Sequence, residues 1–168
     1  TDTFTTFGNQ NGSYFMPLVD GNYTITPIME NPTYFQSNPN NLTVNFPTQT
    51  SPVLQNFCLV DLSYVTDLEI VVLPITSARP GFDATYRVLV RNKGNDFEEV
   101  DIQLTYDNSL LSLLSASPNY NSSISNTITW QNFGFWPFET FSFDVTFSVN
   151  SPSDSPPVNI GDELNFTG

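Results

Sequence analysis

The sequence FSFDVTFSV, residues 141–149, alternates large apolar side chains with small or polar ones. Alternation with a period of two places the apolar side chains on one face of a β-strand and the polar ones on the other. The pattern therefore predicts a strand that turns one face towards a protein core. We expect Phe143, Val145 and Phe147 to be buried, and Ser142 and Asp144 to face the solvent.

Shorter runs of the same kind recur before and after this strand, in the second part of the chain. Their apolar members are Leu68, Ile70 and Val72; Tyr86, Val88 and Val90; Val100, Ile102, Leu104 and Tyr106; Ile128 and Trp130; and Leu164 and Phe166. Turn-forming residues separate the runs at positions 79–81, 92–95 and 107–109. Short strands with turn signals between them indicate an all-β sandwich, and the one helical candidate is the short run 110–115.

The first part of the chain also predicts strands. They cover residues 3–7, 13–16, 23–27, 41–46 and 55–60. Asp20-Gly21-Asn22 predicts a hairpin between the second and third of these strands, because glycine accepts a positive φ without steric cost. Residues 9–12 predict another turn, and residues 30–40 predict a loop rich in proline and asparagine. We therefore expect an all-β fold of two β-sandwich units in tandem, residues 1–63 and 64–168.

Composition and charge narrow the classes of function. The chain of 168 residues has a net charge of −13, and its four cations are Arg79, Arg87, Arg91 and Lys93. Nucleic acids and anionic membrane surfaces are disfavoured as partners, since both require clustered excess positive charge. No apolar run approaches the roughly 20 residues of a membrane-spanning helix, so we expect no membrane insertion by this segment.

Catalytic residues are also scarce. The chain has no histidine, which is the commonest general base and the usual nitrogen ligand for metals. Cys58 is the only cysteine, so no internal disulfide and no cysteine zinc site forms. Its place between Phe57 and Leu59 predicts a buried thiol that acts as a small hydrophobe. A serine–lysine dyad has only Lys93 to draw on, and we expect no catalytic residues and no enzyme activity.

Two groups of carboxylates are the candidate metal sites. The first contains Asp96, Glu98, Glu99 and Asp101, and the second contains Asp154, Asp162 and Glu163. Oxygen ligands of this kind bind Ca²⁺, and Asp96, Glu98 and Asp101 are the weak candidates for it. The spacing does not match an EF-hand loop. We expect solvated charges at turns and strand edges, and no cofactor, with Ca²⁺ binding as the alternative.

Residues 130–138, WQNFGFWPF, are dense in aromatic side chains. Exposed aromatic rings can stack on a sugar ring or anchor a partner protein, and Phe135, Trp136 and Phe138 are the candidate binding residues. The alternative is that Trp130 and alternate phenylalanines form core and that Trp136-Pro137 caps the end of the sandwich. An exposed Trp136 would favour a binding module, and a buried one would favour a spacer.

Parts of the first unit resemble a known module. They are residues 12–15 (GSYF), 21–27 (GNYTITP), 39–46 and 57–59. These stretches resemble the later strands of a transthyretin-like module, as in carboxypeptidase regulatory-like and collagen-adhesin B-type repeats. The resemblance implies a partial β-sandwich over residues 1–63, with the opening strands of the module before Thr1.

The second unit resembles the Ig-like conserved repeat domain of large exported surface proteins in Bacteroidetes, which are substrates of type IX secretion. The matching residues are 80–82 with Tyr86, 90–95 (VRNKGN), 101–107 (DIQLTYD) with Leu111, Ser115 and Pro118, 128–130 (ITW), 141–147 and 161–167 (GDELNFT). The resemblance implies an Ig-like sandwich over residues 64–168 that continues beyond Gly168. A sandwich without that continuation would expose unpaired N–H and C=O groups at one edge.

Together the two resemblances imply a non-catalytic structural or adhesive segment of a large exported protein on the bacterial outer surface. Its partners would be neighbouring domains of the same chain, and the secretion machinery, surface glycans or other surface proteins. Two alternatives stay open. One is a carbohydrate- or protein-binding module that uses residues 130–138, and the other is an accessory region of an exported hydrolase.

Overall fold

The computed structural model describes residues 2–9 and 11–168. Within these residues the chain forms strands and loops without a helix, which confirms the predicted all-β class. The described residues therefore include no helix of the length and apolarity that crossing a membrane requires. The chain divides into two compact units, residues 1–62 and 63–168. Thr1 lies outside the described residues, and so does Gln10, on which part of the turn predicted at 9–12 falls.

Four short strands form among the described residues of the first unit. They are β1 (Gly21–Ile25), β2 (Phe35–Asn38), β3 (Leu42–Phe46) and β4 (Cys58–Asp61). β1 pairs with β3 and β2 pairs with β4, both antiparallel. Val44 and Phe35 are buried apolar side chains of this unit, and each lies on the inward face of its strand.

The hairpin predicted at Asp20-Gly21-Asn22 is wrong. Gly21 begins β1 and pairs with Phe46, while residues 13–16 form no strand. The partner of β1 is β3, whose buried Val44 lies opposite Tyr23, and Gly21 does not adopt a positive φ. Burial of the inward face of β3 therefore decides the pairing, rather than the local turn signal.

Three other predictions in the first unit are also corrected. Residues 3–7 form no strand, and the strand predicted over 55–60 begins only at Cys58. The predicted loop 30–40 contains β2, in which Phe35 and Ser37 are buried between exposed neighbours. A strand of four residues whose partner is distant along the chain leaves little local signal, because its pairing depends on tertiary contacts.

The second unit consists of two four-stranded antiparallel sheets. Its strands are β5 (Leu68–Pro74), β6 (Asp83–Asn92), β7 (Glu98–Tyr106), β8 (Leu111–Ser117), β9 (Ser122–Ile124), β10 (Thr127–Phe135), β11 (Thr140–Val149) and β12 (Phe166–Thr167). One sheet has the order β5-β6-β11-β8, and the other has the order β12-β7-β10-β9. Both sheets turn their apolar faces to one core, which is a layered arrangement consistent with a β-sandwich.

The alternations identified in the sequence build this core. Phe143, Val145 and Phe147 of β11 are buried, as predicted, and so are the inward residues of its neighbours. Those neighbours are Tyr86, Val88 and Val90 on β6, Ile102, Leu104 and Tyr106 on β7, and Ile128 and Trp130 on β10. Rings from the two sheets meet in this layer, with the centroids of Trp130 and Phe143 5.0 Å apart. Phe141, at one end of β11, is more than a third exposed.

The short helical candidate at residues 110–115 forms no helix, as its length led us to expect, and residues 111–115 belong to strand β8. Leu111 is buried and pairs with Val149 of β11. A single turn precedes it, in which the amides of Leu110 and Leu111 both donate to the Asp107 carbonyl. Pairing with β11 therefore outweighs a helical run too short to be stable on its own.

Candidate aromatic binding site

A bulge in β10 determines which aromatic side chains of residues 130–138 are buried. Trp130 pairs with Ile102 and Phe133 with Val100, so Gln131 and Asn132 together face the single residue Asp101. Two residues opposite one form a β-bulge, which resets the inward and outward faces of the strand. Asn132 has a φ of 58°, and its amide donates to Asp101 Oδ1 at 3.0 Å.

The bulge makes Phe135 a core residue. After the shift, Phe135 pairs with Glu98 and is fully buried, in ring contact with Phe141. Phe135 was a candidate binding residue from the sequence, and its burial removes it from any surface that a ligand can reach. Trp130 is also fully buried, as the core alternative required, and its indole N–H donates to the Pro118 carbonyl at 3.0 Å.

Trp136 and Phe138 lie instead on the tight turn that follows β10. The amide of Glu139 donates to the Trp136 carbonyl at 3.0 Å, and the amide of Trp136 donates to Glu139 Oε2 at 2.9 Å. Pro137 takes the second position of this turn and Phe138 the third, with a φ of 67°. A bulky side chain is strained at that φ, where glycine is the usual residue. Strained positions of this kind concentrate at functional sites.

Asn92, at the end of β6, anchors the turn. Its amide donates to the Glu139 carbonyl at 3.0 Å, and its carbonyl accepts from the Phe138 amide at 2.9 Å. The side chain is fully buried, and its Nδ2 donates to the carbonyls of Asp96 and Phe135 at 2.7 and 3.1 Å. Its Oδ1 accepts from the Gly94 amide at 2.9 Å. Every polar group of Asn92 thus holds a loop in place, and the turn beneath Trp136 is rigidly supported.

Phe97 joins Trp136 and Phe138 to form what we call the aromatic corner. The ring centroids of Phe97 and Trp136 lie 4.9 Å apart at an interplanar angle of 53°. Trp136 is 66% exposed, Phe138 48% and Phe97 40%. Gly134 makes room for the Phe97 ring, because a Cβ at that position would lie 2.8 Å from Phe97 Cζ. The sequence reading missed Phe97, although its apolar side chain between Asp96 and Glu98 was a visible signal.

The carboxylates near the corner accept hydrogen bonds from different parts of the second unit. Glu98 and Asp101 lie on opposite faces of β7, where Glu98 Oε1 accepts from Thr66 Oγ1 and Asp101 Oδ1 from the Asn132 amide. Asp96 Oδ1 accepts from the amide of Phe97. Among the residues that the structure describes, no group of three carboxylates or thiols is placed to hold a metal ion.

Two carboxylates of the second group accept hydrogen bonds from nearby backbone amides within their loops. Asp154 Oδ2 accepts from the Ser151 amide at 2.6 Å, and Asp162 Oδ2 accepts from the Asn159 amide at 2.8 Å. The hydrogen bonds from Ser151 lower the pKa of Asp154 below its usual range, because they favour the ionised form. Glu163 is exposed in the following loop.

Cys58 lies on the surface, which corrects the prediction of a buried thiol. All four residues of β4 are exposed. In the pair formed by β2 and β4, the buried residues are Phe35 and Ser37 of β2, whereas the residues of β4 stay exposed.

An ion pair on the outer face of the β6–β11 sheet is the clearest electrostatic feature of the second unit. Arg87 Nε and Nη2 donate to the two carboxylate oxygens of Asp144, each at 2.7 Å. This hydrogen bonding lowers the pKa of Asp144 and raises the pKa of Arg87. The pair is partly exposed.

A shallow cleft of about 610 Å³ forms elsewhere in the second unit. Its apolar lining includes Phe82, Val158, Ile160 and Leu164, and Arg79 supplies a positive charge. Ile160 is almost fully exposed, so the cleft is open rather than enclosed.

The aromatic corner can therefore offer a fixed apolar surface with hydrogen-bond acceptors next to it.

Comparison of the chain with models of protein families, with curated proteins and with solved structures found no match.

Proposed function

We propose that this chain is a non-catalytic, adhesive segment of a large exported cell-surface protein, and that the aromatic corner is its contact surface. In this proposal the two units are a transthyretin-like and an Ig-like β-sandwich in tandem, and the protein acts on the bacterial outer surface. The sequence resemblances support that assignment. The layered core of the second unit is consistent with it.

The observation that carries the proposal is the exposure of Trp136 on a strained and well-anchored turn. A spacer would gain stability by burying this tryptophan, as the second unit does by burying Trp130. It would also have a glycine at position 138, where φ is positive. Large exposed aromatic groups on a rigid support are typical of binding surfaces, since little conformational entropy is lost when a partner covers them.

The chemistry around the corner favours a neutral surface glycan as the ligand. A pyranose ring presents an apolar face of C–H groups, which can lie on the ring of Trp136, and its hydroxyls can donate to carboxylates. Asp96, Glu98 and Glu139 supply such acceptors next to the corner in sequence. The net charge of −13 disfavours anionic polysaccharides.

Affinity electrophoresis in gels that contain soluble neutral polysaccharides (mannan, dextran or a β-glucan) tests the proposal. We expect at least one polysaccharide to retard the chain and Trp136→Ala to abolish the retardation. Phe82→Ala is the matched control, because Phe82 is equally exposed at 67% and lies outside the corner. If the two variants migrate alike, the corner is not the contact surface and the chain is a spacer. Release of reducing sugar ends by the purified chain would contradict the non-catalytic part.

Phe138→Gly separates binding from stability. Glycine relieves a strain of about 1 kcal/mol at this φ, and its greater freedom in the unfolded chain offsets roughly the same amount. We therefore expect unchanged or slightly higher stability in urea unfolding, together with weaker retardation by the polysaccharide. A clear loss of stability would show that the Phe138 ring is needed for packing rather than for contact with a ligand.

A further inference from the structure

The open cleft of about 610 Å³ lies at the end of the second unit where β6 begins and β11 ends. Small-molecule sites usually have volumes of about 300–1,000 Å³, so the cleft is large enough for a ligand. One wall is the turn 79–82 between β5 and β6, and the other is the loop 150–164 between β11 and β12. Val149 and Val158, which belong to the core, also line it.

Backbone hydrogen bonds hold the first wall against the end of β11. The turn is closed by the Phe82 amide, which donates to the Arg79 carbonyl at 3.1 Å. Gly81 has a φ of 79°, as a turn of this type requires at its third position. The Gly81 amide donates to the carbonyls of Val149 and Asn150, each at 3.1 Å. The turn is therefore tied to the strand beside it.

The second wall, loop 150–164, is held by hydrogen bonds of its own. Asn150 Nδ2 donates to the Pro156 carbonyl at 2.8 Å, and the Val158 amide donates to the Ser151 carbonyl at 3.4 Å. The side chain of Val158 is buried in the core. Both walls are thus in place before a ligand binds, so that binding requires little rearrangement.

The lining of the cleft is mostly apolar and open to solvent. Phe82 is 67% exposed and Ile160 is 96% exposed, and Leu164 beside them is half-buried. Covering these side chains with an apolar ligand would be favourable, because it removes their surface from water.

Arg79 lines the cleft, and its side chain has no partner within the described part of the chain. In contrast, Arg87 and Lys93 form ion pairs with carboxylates, and Arg91 also has an interaction partner. The chain has 17 acidic residues, so an unpaired arginine stands out. Arg79 also lines a smaller depression next to the cleft. Its charge is therefore available to a ligand on either side.

We propose that this cleft binds a small molecule with an apolar body and one carboxylate. The apolar body lies against Phe82, Ile160 and Leu164. The carboxylate accepts hydrogen bonds from the guanidinium of Arg79, whose planar set of N–H groups matches a carboxylate. The site shares no residue with the aromatic corner and does not depend on glycan binding.

The charges around Arg79 limit the ligand to a single negative charge. Asp162 lines the cleft, where its Oδ2 accepts from the Asn159 amide at 2.8 Å, and Asp83 lines the smaller depression. Both carboxylates repel further negative charge, as does the net charge of −13. A monocarboxylate therefore fits the site better than a phosphate or a dicarboxylate.

Titration of the nitrogen-15-labelled chain with hydrocinnamate, followed by the chemical shifts of backbone amides, tests the proposal. We expect saturable shifts that concentrate on the cleft, with the amides of Gly81 and Val158 among them. Hydrocinnamamide has the same apolar body without the charge. It should bind about fivefold more weakly, because it cannot form the exposed ion pair with Arg79.

Three variants locate the interaction. Arg79→Gln should weaken hydrocinnamate about fivefold and leave hydrocinnamamide unchanged. Arg87→Gln is the matched control, since it changes the net charge equally but lies on the outer face of the β6–β11 sheet, and it should leave the affinity unchanged. Asp83→Asn should strengthen hydrocinnamate about twofold, because it removes a repelling charge.

The proposal is overturned if hydrocinnamate shifts no amide of the cleft, or if hydrocinnamamide binds as tightly, since apolar contact alone would then govern binding. It is overturned equally if Arg87→Gln weakens binding as much as Arg79→Gln, because net charge would then be the cause. Trp136→Ala should leave the titration unchanged, and a loss of binding in that variant would place the ligand at the aromatic corner instead.

Discussion

Replacing Asn92 with aspartate should destabilise the second unit strongly at neutral pH and much less in acid. The substitution keeps the shape of the side chain and the acceptor that faces the Gly94 amide. It replaces Nδ2, which donates to the carbonyls of Asp96 and Phe135 at 2.7 and 3.1 Å, with an oxygen. Three oxygens would then face one another in a fully buried site.

The magnitude follows from the contacts that are lost. Two hydrogen bonds disappear, each worth about 0.5–1.5 kcal/mol, and the buried Phe135 carbonyl loses a partner at about 1–3 kcal/mol. An uncompensated buried carboxylate raises the cost further, so we expect the free energy of unfolding to fall by about 3–5 kcal/mol at pH 7. Asn92→Ala removes the same donors without adding charge and should cost about 2–3 kcal/mol.

The pH dependence distinguishes the two variants. Burial and the facing carbonyls would raise the pKa of the new carboxyl in the folded protein above its unfolded value of about 3.9. Below the unfolded pKa the carboxyl is neutral in both states, and its hydroxyl can donate to one carbonyl. As the pH rises, the unfolded carboxyl ionises first, so the variant loses stability until the folded pKa is passed. The loss in Asn92→Ala should not depend on pH in this way.

Urea unfolding followed by tryptophan emission measures both effects, because Trp130 is buried in the core that unfolds. The reasoning is refuted if Asn92→Asp is as stable as the natural chain at pH 7, or if its deficit relative to Asn92→Ala is the same at every pH. Either result would mean that the Asn92 side chain does not bridge the loops as described.

Three further outcomes are expected. Gly94→Ala should unfold at clearly lower urea concentration, because the added Cβ would clash with the Val65 carbonyl oxygen. The control Gly8→Ala, whose Cβ would have no atom within 4 Å, should leave the stability unchanged. Asp144→Asn should reduce the loss of stability in acid. Arg87 lowers the pKa of Asp144, so the stabilisation by this ion pair is full at neutral pH and disappears as the pH falls through that lowered pKa. An unchanged dependence of stability on pH in acid would contradict this. Cys58 should react with a maleimide in the folded chain nearly as fast as in urea, as mass spectrometry can follow, and protection would show that its thiol is covered.

The sequence predicted the second unit well because its strands are long and half-buried. Over the ten residues of β11, a slip of the register by one residue would turn Phe143 and Phe147 to the solvent, so the alternation determines which face is buried. The first unit has strands of four or five residues, and each alternation there is too short to override a turn signal such as Asp20-Gly21. Tertiary pairing of β1 with β3 decided the outcome, and no local pattern carries that information.

The candidate site was predicted in part, and the bulge in β10 explains the rest. Counting alternate residues from Trp130 without a bulge places Phe135 on the outward face, whereas the extra residue at 131–132 brings it inward. The same shift leaves Trp136 at the start of the turn and exposed. Bulges depend on the partner strand, here on Asp101 accepting from the Asn132 amide, so the sequence of β10 alone could not reveal one.

Asn92 shows how fold and proposed function are connected. It continues the inward alternation of Tyr86, Val88 and Val90, so a wholly structural strand would have an apolar residue there. All its polar groups are paired, and their partners include the loops that carry Phe97 and Phe138. The core of the second unit thus ends at a hydrogen-bonded asparagine instead of an apolar residue. This hydrogen bonding fixes the exposed rings before a ligand binds, so that binding loses little further entropy. A spacer would have no need of it, and this is the physical reason for preferring an adhesive role for the aromatic corner.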